Sequence, residues 1–166
     1  MRMEFTPTQA IPKFRALPIG ARATTSIVRA NLQRRLKEQE TWPRSTVEAA
    51  VELVSEKCLI GTMRISIVDQ ANRTADFGYT FNRFYWNKGY ATEAARALLG
   101  VAFSDLNLHR VWATCDIRNR ASWRVMEKLG MRCEAHFNRD IFQKGEWRDS
   151  YLYAILAEEW PPPSTA

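Results

Sequence analysis

A short run of residues near the middle of the chain combines a lysine, a glycine and a small alanine. It reads Trp86-Asn87-Lys88-Gly89-Tyr90-Ala91-Thr92, and helically spaced apolar residues follow it. The free N–H groups and the dipole of a helix N-terminus attract anions, and a glycine lets a ligand approach the backbone closely. Lys88 adds a positive charge. The run therefore predicts a site that holds a phosphate or diphosphate group.

A strand-to-helix turn that binds nothing would also fit this run. It lacks the three glycines in six residues of the dinucleotide-binding motif, and it lacks the Gly-Lys-Ser/Thr ending of the P-loop. Residue spacing alone leaves both interpretations open.

Three segments before the run predict antiparallel strands joined by polar turns. They are residues 47–53, 59–69 and 74–82. The first is ambiguous, because Ser45 and Glu48 could instead form the capping box of a helix. We choose the strand because residues 55–57 then make a hairpin turn into the next strand.

The second half of the chain predicts two helices and three strands. The first helix has apolar residues at Ala91, Ala95, Leu98, Ala102 and Leu106, and the second begins at Asn119 and is closed by Gly130. The strands are residues 108–117, 131–142 and 147–156. Residues 108–117 must lie beside residues 74–82 for the two halves to share a core. The predicted fold class is α/β (α+β), a mixed, mostly antiparallel sheet flanked by helices.

The two ends of the chain differ from this pattern. Residues 1–43 have three prolines in their first 18 positions and predict at most a short strand near Phe5 and a helix over residues 26–38. Residues 161–166 form a short Pro-rich tail. The length of 166 residues predicts one domain over the whole chain.

The composition excludes several classes of protein. With 46% hydrophobic and 25% charged residues and no long apolar run, we expect a globular, cytoplasmic protein without a membrane span. Cys58, Cys115 and Cys133 lack a Cys-x-x-Cys pair, so they predict neither disulfides nor a metal site but buried or half-buried thiols. The net charge of +6 fits a polyanionic ligand as well as nucleic acid, which we consider the weaker interpretation.

Several motifs resemble the GNAT superfamily of N-acetyltransferases. Residues 86–94 are similar to its acyl-CoA-binding motif, Arg/Gln-x-x-Gly-x-Gly/Ala, with Trp86 in place of the Arg or Gln. This version is typical of the branch that includes the Rim-type acetyltransferases of ribosomal-protein N-termini. Matching motifs follow the order of that branch over residues 47–160: Leu59-Ile60-Gly61-Thr62, Phe77-Gly78-Tyr79, Asn119-x-x-Ser122, residues 127–131, residues 145–149 and Glu158-Glu159-Trp160.

The resemblance implies acetyl-CoA as cosubstrate, no metal, and a role for each matched residue. The backbone of residues 86–92 would hold the diphosphate, and the main chain of Tyr79 and Phe81 would pair with the pantetheine. Asn119 would contact the pantetheine, Ser122 would be the general acid and Asp76 the general base. Structural alternatives exist for all three: Asn119 as a helix cap, Ser122 as its companion and Asp76 as a solvated strand-end charge.

The implied function is transfer of an acetyl group to a primary amine by direct attack in a ternary complex. The acceptor is either a protein N-terminal amine or a small amine such as a polyamine, an amino acid or an antibiotic. A different class is a CoA-binding or nucleic-acid-binding protein without activity. Family members usually open with a strand and two helices that shape the acceptor site, and residues 1–43 do not clearly show the strand or the first of these helices.

Overall fold

The computed structural model describes residues 46–53 and 55–160, which form one six-stranded sheet and two α-helices. The predictions for residues 1–45 and for the tail 161–166 lie outside the described residues. The strands are β1 (Thr46–Leu53), β2 (Cys58–Asp69), β3 (Thr74–Phe81), β4 (Arg110–Asp116), β5 (Arg132–Gln143) and β6 (Glu146–Leu156). The helices are α1 (Tyr90–Ser104) and α2 (Arg120–Lys128). Each strand and helix predicted within this part of the chain is confirmed to within a few residues at its ends.

The sheet has the order β1-β2-β3-β4-β6-β5 and is antiparallel except where β3 runs parallel to β4. The ambiguous first segment is a strand because Val47, Ala49 and Val51 alternate into the core while the strand pairs with β2. Helix α1 lies between β3 and β4 in the chain and explains their parallel pairing. It carries the chain back to the end of the sheet at which β3 begins, so that β4 runs in the same direction as β3.

The parallel pairing of β3 with β4 is short. It joins only Thr74, Ala75 and Asp76 to Arg110, Val111 and Trp112, while β4 continues along β6 as far as Asp116. Beyond Asp76, no described strand pairs with β3 on the side of β4. The two strands therefore diverge, and a gap opens in the middle of the sheet.

Both helices pack on the sheet face that holds the core. Helix α1 buries Ala94, Ala95, Leu98, Leu99 and Ala102, and the small alanines let it lie close to the strands. The large buried side chains come from all layers and include Ile60, Ile65, Phe77, Leu98, Leu99, Met126, Leu129 and Ile155. At about 25 cal/mol per Å² of apolar area, their burial is the main stabilising contribution to this fold.

The end of α2 has the predicted glycine. Gly130 has φ +83°, its N–H donates to Glu127 O at 2.9 Å, and the N–H of Met131 donates to Met126 O at 3.0 Å. These two bonds form a Schellman motif, which satisfies carbonyls at the helix end. Met131 is buried beyond the turn.

The prediction for the cysteines is wrong at one position. Cys58 and Cys115 are buried, but Cys133 is exposed. Cys133 lies in β5, an edge strand with an irregularity directly after this residue, so nothing in the described part of the chain covers its side chain.

Candidate functional site

A cleft of about 460 Å³ lies where β3 ends and the two helices approach each other. Its walls come from the end of β3, the connection between β3 and α1, the first turn of α1, and α2. The lining residues are Tyr79, Thr80, Phe81, Tyr85, Trp86, Asn87, Gly89, Tyr90, Ala91, Thr92, Asn119, Ala121, Ser122, Arg124, Val125 and Lys128. All of the predicted site residues are among them except Lys88 and Asp76.

One wall of the cleft is the open N-terminus of α1. Gly89 is its N-cap, with φ +84° and ψ −13°, and no side chain caps the helix. The N–H groups of the first turn, which follow at Tyr90, Ala91 and Thr92, therefore have no side-chain acceptor. A β-carbon at Gly89 would meet nothing within 4 Å, so the backbone here is accessible. The arrangement suits an anion.

The adjacent wall is the free side of β3. The carbonyl of Arg73 accepts hydrogen bonds from His109 and Arg110 on the β4 side, while the N–H of Asn82 donates to Ile60 O in β2 at 2.8 Å. Because alternate residues of a strand direct their main-chain groups to the same side, Tyr79 and Phe81 direct theirs into the gap left by β4. The carbonyl of Phe81 already accepts a hydrogen bond from the indole of Trp86. The main-chain groups of Tyr79 and the N–H of Phe81 therefore need partners, and an extended ligand could supply them.

Hydrogen bonds hold the connection between β3 and α1 in place. Its first part is a 3-10 turn, Arg83–Tyr85, capped by Asn82, whose side chain accepts from Phe84 N at 3.1 Å. The indole Nε1 of Trp86 donates to the carbonyl of Phe81 at 2.9 Å. Trp86 thus ties this connection to the end of β3, and the residue remains 48% exposed.

A second set of contacts ties this connection to the turn between β1 and β2. The hydroxyl of Tyr85 donates to Glu56 Oε2 at 3.0 Å and lies 3.5 Å from the Sγ of Cys58. The ammonium of Lys88 lies 5.4 Å from the centre of the Tyr85 ring. Lys88 therefore does not line the cleft itself but lies over a residue that does.

The opposite wall is joined to β3 by a pair of hydroxyl groups. The Oη of Tyr79 lies 2.9 Å from the Oγ of Ser122 and donates to the carbonyl of Ser122 at 3.0 Å. Burial raises the pKa of Tyr79 to about 12, so it is a protonated donor at any physiological pH. Cys115 lies next to the same serine, and burial raises the pKa of its thiol to about 11. This thiol is therefore uncharged.

Asn119 has the cap role, and it also lines the cleft. Its Oδ1 accepts the N–H of Ser122 at 3.2 Å. The capping bond uses the backbone of Ser122, so the serine hydroxyl is not needed for the helix start. The side-chain amide nitrogen of Asn119 has no hydrogen-bond partner among the described residues, which leaves a donor free at the cleft.

Asp76 does not belong to the cleft. Its carboxylate forms an ion pair with Arg64 at 2.5 Å. Along β3, Ala75 and Phe77 are buried in the core and Tyr79 follows on that face, so Asp76 lies on the other face of the sheet. The structure therefore does not bring the two predicted catalytic residues together.

Asp149, another acid in a matched motif, has a local role. Its carboxylate accepts the N–H of Arg139 at 2.9 Å and lies 3.3 Å from Nε2 of His136. The backbone hydrogen bond from Arg139 lowers the pKa of this carboxyl. These bonds stabilise the irregular part of β5 between Phe137 and Ile141.

Several lining residues were not predicted from the sequence, above all the two cations Arg124 and Lys128. Both are on α2, four residues apart, and Ala121 and Val125 lie on the same side. The four-residue spacing of the cations was a visible signal. No signal in the sequence indicates which face of α2 borders the cleft, because that depends on how α2 packs.

No helix among the described residues is long and apolar enough to cross a membrane. No group of three or more His, Cys, Asp or Glu side chains among them could hold a metal ion.

The comparison with protein families gives a direct result. The model of the acetyltransferase (GNAT) domain matches residues 4–132. The chain belongs to the GNAT acetyltransferase family.

Similar proteins carry related names. The N-acetyltransferase YnaD of Bacillus subtilis, whose name gives no substrate, is 48% identical over 110 residues, which are 66% of this chain and 64% of YnaD. YdaF of the same organism, named provisionally as a ribosomal N-acetyltransferase, is 32% identical over 65% of this chain and 59% of its own length. Spermidine N(1)-acetyltransferase of Escherichia coli is 28% identical over 66% of this chain and 58% of its own. The chain spans less than two thirds of the length of each of these relatives.

A solved structure agrees with the fold. The crystal structure of a GNAT-family acetyltransferase from Bacillus anthracis superposes with a TM-score of 0.63 at 45% sequence identity, covering 68% of this chain and 67% of that one. The six-stranded mixed sheet with two helices is thus the GNAT fold.

Proposed function

We propose that this chain transfers an acetyl group from acetyl-CoA to a primary amine. The observation that carries the proposal is that one cleft combines the uncapped N-terminus of α1 with the free side of β3. Acetyl-CoA has the matching parts in order, since a charged diphosphate is followed by an extended arm with two amide groups and then by the thioester.

Acetyl-CoA would lie along the cleft with its diphosphate at the first turn of α1 and its thioester near Ser122. The diphosphate accepts N–H bonds from the first turn of α1 at Tyr90 to Thr92. The pantetheine amides pair with the main chain of Tyr79 and Phe81 as an added strand does, and the amide nitrogen of Asn119 donates to the same arm. The thioester then lies near Ser122.

The chemical step needs a proton for the departing thiolate. The amine attacks the thioester carbonyl, the C–S bond breaks, and the electron pair leaves on sulfur. The hydroxyl of Ser122 donates its proton to that sulfur and is then reprotonated from solvent. The hydroxyl of Tyr79, 2.9 Å from Ser122 Oγ, turns from the Ser122 carbonyl to donate to the serine oxygen during this step. The high pKa of Tyr79 keeps its own proton in place for this role.

The amine must also lose a proton, and Asp76 is the predicted general base. Its ion pair with Arg64 and its place on the other sheet face mean that it would act through water. Replacing Asp76 with Asn should then lower kcat/KM on the order of a hundredfold, whereas Arg64→Gln, which keeps the carboxylate, should retain most of the activity. An unchanged kcat/KM in Asp76→Asn would assign the step to water or to another group.

For the acceptor we propose a protein N-terminal amine, as in the Rim-type branch. YdaF supports this choice by its name, and the motifs of residues 86–94 are of that kind. A polyamine is the second candidate, because a spermidine acetyltransferase is also a relative.

The experiment is thiol release from acetyl-CoA in the presence of separate acceptors, with the product identified by mass spectrometry. The panel contains peptides with different N-terminal residues, the same peptides with blocked N-termini, spermidine, single amino acids and aminoglycosides. Acetylation only of free peptide N-termini supports the proposal, and acetylation only of spermidine supports the second candidate. No thiol release with any acceptor, despite CoA binding, would favour an inactive binding protein.

A further inference from the structure

Three positive side chains follow one another at four-residue steps along α2: Arg120, Arg124 and Lys128. Residues four apart share one face of a helix. Within residues 46–53 and 55–160, no carboxylate forms an ion pair with any of the three. The arginines of the neighbouring strands and turns differ, since carboxylates pair with Arg110, Arg118, Arg132 and Arg148.

Only two of the three cations reach the cleft. Arg124 and Lys128 line it, whereas Arg120 does not. The guanidinium of Arg124 lies 5.6 Å from the centre of the Trp123 ring, which orients it. The carbonyl of Lys128 accepts a hydrogen bond from Arg96 of α1 at 3.1 Å, so the end of α2 is held against α1. The cleft therefore has two unpaired cations at a fixed place on one wall.

Coenzyme A has one more anionic group than the diphosphate. Its ribose carries a 3'-phosphate, a monoester with nearly two negative charges at neutral pH and three acceptor oxygens. If the first turn of α1 holds the diphosphate, the 3'-phosphate still needs a partner. An arginine can bind a phosphate through two parallel N–H bonds, and a lysine adds a point charge.

We propose that Arg124 and Lys128 bind the 3'-phosphate of coenzyme A and so make the site selective for CoA over 3'-dephospho-CoA. This assignment rests on the proposed function, because it assumes that the cleft holds CoA. It concerns selectivity for the donor, and the diphosphate and pantetheine contacts do not depend on it.

The test is the ratio of the dissociation constants of CoA and 3'-dephospho-CoA, measured by calorimetry on the full chain at low ionic strength. Charge-assisted hydrogen bonds predict that the parent protein binds CoA about ten- to hundredfold more tightly. In Arg124→Gln/Lys128→Gln this ratio should fall close to one, with the affinity for 3'-dephospho-CoA nearly unchanged. The control is Arg120→Gln, which removes one positive charge from the same helix face outside the cleft and should leave the ratio as in the parent.

Each other outcome contradicts the assignment. A parent protein that binds both ligands equally, or a double variant that loses affinity for both in proportion, would show that these cations do not recognise the 3'-phosphate. Binding of neither ligand by the folded parent would remove the proposed function and this assignment with it. Melting curves establish that all variants are folded, so that a change in the ratio of the two dissociation constants cannot be attributed to unfolding.

Discussion

The phenolic oxygen of Tyr79 lies 2.9 Å from the hydroxyl oxygen of Ser122, across the cleft between β3 and α2. The sequence alone did not distinguish between two roles for Ser122, a proton donor and a companion of the helix cap. The cap, however, uses the Oδ1 of Asn119 and the backbone N–H of Ser122. The serine hydroxyl therefore does not take part in the helix start but contacts Tyr79 at the wall of the cleft. A proton donor needs such a position at the cleft.

The first prediction is that Ser122→Ala lowers kcat about ten- to ten-thousandfold while the KM for acetyl-CoA changes little. The reason is that the variant removes the proposed proton donor but keeps the serine carbonyl, which accepts from Tyr79 at 3.0 Å. The measurement is steady-state thiol release together with a melting curve.

The matched control is Ser104→Ala. Ser104 is at the end of α1 and bonds the carbonyl of Gly100, outside the cleft, so kcat should be unchanged. A normal kcat in Ser122→Ala with a lowered melting temperature would make Ser122 a structural residue.

The second prediction concerns alkaline pH. In the folded protein burial raises the pKa of Cys115 from 9.0 to about 11. The folded state thus favours the protonated thiol, so the stabilisation is complete below the unfolded pKa near 9 and is lost as the pH rises toward 11. The free energy of unfolding in urea should decline over this range, and the decline should be smaller in Cys115→Ala.

Cys133 is the control thiol because it is exposed. Cys133→Ala should show the same alkaline decline as the parent, and Cys133 should react with a thiol reagent in the folded protein much faster than Cys115 does. A decline that is identical in the parent and in Cys115→Ala would contradict the assignment to this thiol.

The sequence predicted the fold well because most elements have strong local signals. Residues 46–53 are the instructive case, since helix and strand periods fitted them equally. The polar turn at residues 55–57 favoured the strand, and this choice was correct, because the turn joins β1 to β2 in an antiparallel pair. The 3-10 turn at Arg83–Tyr85 was missed, as a single turn capped by Asn82 leaves no periodic pattern.

The site was predictable where it depends on the backbone and less so where it depends on packing. Gly89 and the first turn of α1 are local features. Arg124 and Lys128 reach the cleft only through the packing of α2, which no short pattern encodes. The side of the sheet on which Asp76 lies could have been foreseen, because its position differs from those of Phe77 and Tyr79 by one and three, and side chains alternate between the faces along a strand.

The third prediction is that Gly89→Glu lowers the affinity for CoA on the order of a hundredfold or more. A β-carbon at this position meets no atom within 4 Å, so the carboxylate has room at the helix start and repels the diphosphate there. Calorimetry with CoA is the measurement.

Gly89→Ala separates charge from strain. Both variants have a side chain at φ +84°, which costs about 1 to 2 kcal/mol of stability. Only the glutamate adds charge, so Gly89→Ala should lose as much stability as Gly89→Glu but much less affinity. If the glutamate variant binds CoA as tightly as the alanine variant, the diphosphate lies elsewhere.

The last prediction concerns the tie between Tyr85 and Glu56. Tyr85→Phe removes the 3.0 Å hydrogen bond but keeps the ring, so stability should fall by about 1 kcal/mol, and the connection to α1 should become less ordered. The KM for acetyl-CoA should then rise about three- to tenfold, because the diphosphate site must be ordered on binding, while kcat is retained.

A donor without a diphosphate, S-acetyl-N-acetylcysteamine, should be used equally well by variant and parent. Tyr153→Phe is the control, since it removes a contact to Glu127 outside the cleft and should leave both donors unaffected. An equal loss with both donors would mean that the tie supports the fold as a whole and not the diphosphate site.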